Sequence, residues 1–98
     1  MERRYVWVTT RQVKPGALED FERAWRPERH PDGMVRALAY WSEDGAKVTG
    51  VSLWDSKDSC ERWRASEAEA HRREAIAPFV EEESEAFYEG VELKVPEK

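Results

Sequence analysis

At 98 residues the chain has room for one domain, and a domain this small buries a modest share of its unfolded surface, so association with a second copy is a natural way to gain core. The formal charge of −5, with Arg and Glu interleaved along the chain, argues against a nucleic-acid surface, which needs Lys and Arg clustered on one face. The same composition, 38% charged, holds five Trp, three Tyr and three Phe, so burial must be concentrated at a few bulky positions. The single cysteine, Cys60, excludes an internal disulfide and fits a reducing compartment. No apolar run reaches the length of a membrane span and the N-terminus lacks the apolar core of a signal peptide. The expectation is a cytoplasmic protein with one domain over residues 1–98.

Residues 5–13 are dense in β-branched and aromatic side chains and read as a strand. Tyr5, Trp7 and Thr9 point to one face and Val6, Val8 and Thr10 to the other, so both faces carry apolar bulk. Lys14, Pro15 and Gly16 form a turn, after which Leu18, Phe21 and Trp25 recur at helical spacing, with Gly16 as the expected cap. Pro27 ends this helix, and His30, Pro31, Asp32 and Gly33 form a loop.

Residues 34–42 and 46–54 read as a hairpin turned by Glu43, Asp44 and Gly45, since Asp-Gly favours the tight turn between antiparallel strands. Gly50 within the second of these strands predicts a bulge or a close backbone approach. Asp55 and Ser56 are the expected caps of a long second helix running from Lys57 to Pro78, with Glu67 and His71, and Glu69 and Arg73, as i,i+4 pairs of its exposed or partly exposed surface. Beyond Pro78, Phe79, Val80, Phe87 and Tyr88 suggest a short helix or irregular segment. Val91, Leu93 and Val95 alternate as a last strand before a tail of Pro96, Glu97 and Lys98.

The order βαββαβ predicts an α+β, ferredoxin-like domain in which an antiparallel sheet carries its helices on one face. The other face needs cover, and a second copy of the sheet is the simplest source. The expected assembly is therefore a homodimer forming a dimeric α/β barrel.

Residues 10–16, the helix with Phe21, and above all Leu53-Trp54-Asp55-Ser56-Lys57 followed by Trp63 and Ser66 resemble the antibiotic biosynthesis monooxygenase domains of the dimeric α/β-barrel superfamily and their haem-degrading relatives. In the haem-degrading members a tryptophan early in the second helix ruffles the haem, a later helix histidine ligates iron, and an asparagine on the first strand contacts the ligand. Trp63 matches the first. His71 falls two residues short of the histidine, a turn of about 200° on a helix, and Thr10 stands where the asparagine would be. In the cofactor-free members an asparagine four residues before Trp54 and a tyrosine six after it are expected, where this chain has Gly50 and Cys60.

The resemblance therefore implies Trp63 and His71 as catalytic candidates, Thr10, Trp25 and Trp54 as candidates for a substrate pocket, and no cofactor, with haem disfavoured by the register of His71. Read as structure instead, Trp54 is a core anchor, Trp63 divides between core and pocket, and His71 is a surface or interface residue. Cys60 and His71 stand about 16 Å apart along a helix, too far to share a metal, so no metal site is expected. Cys60 reads as a small buried residue of the helix, and Arg72 and Arg73 as solvated. The expected function is that of a monooxygenase-like protein, cofactor-independent if it is an enzyme, binding a small apolar or aromatic organic molecule between sheet and helices. The alternative is a non-catalytic ligand-binding or interaction module of the same fold, with neither nucleic acid nor membrane as partner.

Overall fold

A computed structural model describes residues 2–96. Four strands form one antiparallel sheet: β1 (Arg3–Val13), β2 (Met34–Trp41), β3 (Lys47–Trp54) and β4 (Val80–Val91), in the order β2-β3-β1-β4. Helix α1 (Leu18–Trp25) links β1 to β2, and α2 (Lys57–Arg64) and α3 (Glu67–Ile76) link β3 to β4 through a 3-10 turn, Ala77–Phe79. This is the expected ferredoxin-like order with the second helix in two pieces. None of the described helices is long and apolar enough to cross a membrane.

The strand pleat sorts β1 into two faces. Trp7, Thr9, Arg11 and Val13 are buried beneath the helices, while Val6, Val8, Thr10 and Gln12 alternate with them and are half-buried. Two apolar clusters lie on the helix side. Val13 and Val48 pack with Phe21 of α1 and Ile76 of α3 at one end, and Trp7, Trp54, Cys60 and Trp63 pack together at the other. On the far face the register sets Val6 opposite Leu53 and Tyr88, and Val8 opposite Val51 and Ala86. Tyr88 is 57% exposed there.

Several expectations need correction. The second helix breaks at Ser66, whose hydroxyl donates to the Trp63 carbonyl at 2.6 Å and accepts from the Glu69 N–H at 3.2 Å, so one side chain closes α2 and caps α3. Ser56, and not Asp55, caps α2. The cap of α1 is Ala17, with Gly16 at φ +77° in the preceding turn. Residues 80–91 are neither helical nor irregular: they form the longest strand, although Glu81, Glu82, Glu83, Glu85 and Glu89 lie in it and glutamate is a poor strand former. The full-length ladder with β1 supplies its hydrogen bonds, and Arg11, Arg64 and Arg73 pair with its carboxylates. Only Val91 of the expected last strand lies in a strand; Leu93 and Val95 are exposed and irregular, and of the tail Glu97 and Lys98 lie outside the described residues.

At Gly50 the close approach holds. A Cβ there would stand 3.0 Å from Thr9 Oγ1 and 3.2 Å from Trp25 Cζ2, so the missing side chain lets the Trp25 ring rest against the sheet.

Candidate functional site

The rings at the Trp7 end do not fill the space they enclose. Between the sheet and the three helices lies a cavity of about 120 Å³, walled chiefly by Trp7, Trp25 and Trp63 with Pro27, Pro31 and Met34. Its polar groups are few: Thr9 and Ser52 on the sheet and Arg72 on α3. An apolar pocket with a small number of placed polar groups is the usual form of a small-molecule site.

Two hydroxyls in the wall differ in what they can offer. Ser52 accepts from Trp54 Nε1 at 2.9 Å and donates to the Trp7 carbonyl at 3.3 Å, so its proton is committed. Thr9 Oγ1 accepts from Arg11 Nη1 at 3.0 Å, which leaves its proton for another acceptor. Arg11 is 1% exposed and pairs with Glu83 at 2.9 Å. Burial holds its pKa below the usual arginine value, with the Glu83 carboxylate working against that drop.

The walls are braced by a carboxylate that the surface reading of the helix missed. Glu69 is fully buried and accepts from Trp63 Nε1 at 3.1 Å, from Arg72 Nε at 2.8 Å and Nη2 at 3.0 Å, and from Arg73 Nε at 3.1 Å. Arg72 in turn donates to the Trp25 carbonyl at 2.8 Å and lies 5.8 Å from the centre of its ring. One buried carboxylate thus positions two tryptophans and an arginine of the wall, and Arg72 is a structural brace where solvation was expected. Behind Trp7, Arg64 and Arg73 reach Glu85 at 2.7 and 2.8 Å and lie 5.4 and 5.7 Å from the Trp7 ring. Burial works to raise the pKa of Glu85, but hydrogen bonds and charge from Arg73 and Arg64 outweigh it and hold the carboxyl below its ordinary value.

Of the residues singled out in the sequence, Trp25 and Trp63 meet at the cavity. Trp54 does not reach the wall: it is completely buried beneath it, as a core anchor. Thr10 faces the opposite side of the sheet beside Gln12 and Lys47, so the strand-one hydroxyl at the cavity is that of Thr9. The alternation that groups Thr9 with Trp7 was the signal for it. His71 is exposed on an open groove between α1 and α3, outside the cavity, and Glu67 makes no ion pair with it among the described residues. Cys60 is buried in the core, and desolvation pushes its thiol up to about 11, which removes it as a nucleophile near neutral pH. Among the described residues no group of three His, Cys, Asp or Glu side chains could hold a metal. The cavity by itself is too small for a haem macrocycle and has no histidine in its wall, His71 lying on the adjoining groove.

The fold has parallels among solved structures. A candidate antibiotic biosynthesis monooxygenase from Nitrosomonas europaea superposes with a TM-score of 0.81 over 93% of both chains at 18% identity. SnoaB, a cofactor-independent oxygenase from Streptomyces nogalater, gives 0.78 over 99% of this chain and 100% of its own, also at 18% identity. The fold is that of an antibiotic biosynthesis monooxygenase-like domain. A further candidate monooxygenase, from Caulobacter crescentus, gives 0.79 at 15% identity over 93% of this chain and 92% of that one. No protein-family model and no curated protein matches the sequence.

Proposed function

We propose that this monooxygenase-like domain takes a small, largely apolar or aromatic organic molecule into the cavity between sheet and helices, as one half of a homodimer in the cytoplasm. The cavity itself carries the reading: three indole rings enclose a space near that of an engineered pocket of roughly 150 Å³ that binds benzene, and the uncommitted proton of Thr9 offers a hydrogen bond to a ligand oxygen. The apolar far face, with Val6, Val8, Val51 and Tyr88, supports pairing through a second sheet. The single buried thiol suits a reducing compartment.

If the domain oxygenates its ligand without a cofactor, as the name of SnoaB states for that protein, the substrate supplies the electrons, one oxygen atom enters it and the other leaves as water. The chain's part is then to hold the ring, exclude water and stabilise an anionic form of the substrate through Thr9 and Arg72. A second reading, binding without turnover, is favoured by one observation: the described wall contains no carboxylate, histidine or lysine to take a proton. Such a site can oxygenate only a substrate acidic enough to ionise unaided.

Oxygen uptake with phenolic and polyketide-like aromatic compounds separates the two. Turnover that Trp63→Phe lowers at least tenfold in a folded dimer supports catalysis at this cavity. Ligand binding without oxygen uptake across such a panel leaves the binding module.

A further inference from the structure

The cavity opens beside a groove of opposite character. This groove, about 770 Å³ between α1, the following loop and α3, shares Pro27, Trp63 and Arg72 with the cavity wall. Arg23, Arg26 and Arg29 line it with Arg72, against the carboxylates of Glu28 and Glu67. In a chain of net charge −5 the groove gathers four arginines beside two carboxylates.

The arginines are not equally engaged. Arg23 pairs with Asp20 at 3.3 Å, and Arg72 is held by Glu69. Arg26 and Arg29 form no ion pair among the described residues, and the Arg29 guanidinium lies 5.8 Å from the centre of the Trp63 ring. Trp63 at the junction and Trp25 inside the cavity thus each lie beside a guanidinium. The cavity alone has space for about one aromatic ring, and the wall it shares with this groove at Pro27, Trp63 and Arg72 gives the remainder of a larger ligand a place to lie.

Resting on the cavity reading above, we propose that the natural ligand is bipartite: an aromatic ring seated among Trp7, Trp25 and Trp63, joined to an anionic group, a carboxylate, sulfonate or phosphate, held in the groove by Arg26 and Arg29. The chemistry is that of guanidinium recognition, in which planar forked donors meet the oxygens of an anion and attraction at an open site depends on ionic strength.

A matched pair of fluorescent probes tests this on the intact protein. 1-Anilinonaphthalene-8-sulfonate and N-phenyl-1-naphthylamine differ only in the sulfonate. At low salt the sulfonated probe binds about tenfold more tightly, as two exposed guanidiniums would provide. That advantage shrinks as ionic strength rises from about 0.01 M to about 1 M, where the Debye length falls from roughly 30 Å to roughly 3 Å. In the double variant Arg26→Gln, Arg29→Gln the ratio of the two affinities falls close to one. Equal affinities in the unaltered protein, or a ratio the double variant leaves intact, overturn the bipartite ligand while the aromatic cavity stands. Failure of both probes to bind overturns the cavity reading and this inference with it.

Discussion

The two ends of the helix-covered face are built differently. At one end Val13, Phe21, Val48 and Ile76 interlock as aliphatic and phenyl surfaces, and Phe21 and Ile76 are each 1% exposed. At the other, three indole rings stand around a space they do not fill, held by Glu69, Arg72 and the arginines behind Trp7. Trp7 Nε1 and Arg64 Nε, at the Trp7 ring, are buried without acceptors on this second side. Native cores leave few such groups unmet, because each costs about 1–3 kcal/mol. The first end is packed for stability, and the second gives up packing to keep a shaped opening.

The largest effect is expected at Glu69. Glu69→Ala leaves Arg72 and Arg73 short of a buried partner and should cost about 3–5 kcal/mol, read as a fall in the urea midpoint, with loss of aromatic-probe binding. Phe21→Ala at the packed end should cost a similar ~3–5 kcal/mol, from the lost apolar burial and the void its ring leaves. The protein that remains folded at low temperature should still bind probe. Equal loss of binding in both variants would erase the distinction between the ends.

Gly50→Ala should cost about 1–3 kcal/mol through overpacking, since its Cβ meets Thr9 and the Trp25 ring, and should weaken ligand binding more than stability. Crystals of the variant showing Trp25 unmoved would refute that account. Glu85 gives a smaller, pH-dependent term. Its folded pKa lies below the ordinary value of 4.5, so its contribution is complete above that pH and is lost as the pH falls through the lower folded value. Glu85→Gln should flatten the stability profile below pH 4.5, by about 1 kcal/mol for pairs this exposed. A profile with the unaltered slope would exclude the carboxylate.

What could be read in the chain followed local chemistry. The first strand, the Asp44-Gly45 hairpin and the Leu18, Phe21, Trp25 stripe are each set by neighbours in sequence, and each stands where it was expected. The break at Ser66 was also readable, because Ser66 to Glu69 has the Ser-x-x-Glu spacing of a capped helix start, but a continuous run of helix formers obscured it. Residues 80–91 were not readable. Their glutamates lower strand propensity, and what holds them there, the ladder with β1 and the arginines of β1, α2 and α3 that pair with Glu83 and Glu85, comes from distant parts of the chain.

The candidate site divides in the same way. Trp25 is legible from its helical spacing with Leu18 and Phe21, and Trp63 from the resemblance. Thr9 was passed over for Thr10 when the resemblance was followed against the strand alternation. Glu69 looked like one more surface charge, and its burial depends on Trp63, Arg72 and Arg73 converging in three dimensions.

The central claim is that the opening among Trp7, Trp25 and Trp63 receives an aromatic ring. Titration with phenol, followed through the five indole N–H signals in ¹H–¹⁵N spectra assigned by single Trp→Phe variants, tests it directly. The account predicts saturable shifts at Trp7, Trp25 and Trp63, with Trp41, which is 54% exposed on β2, unmoved. Shifts confined to Trp41, or no saturable shift at the three cavity rings, would contradict it.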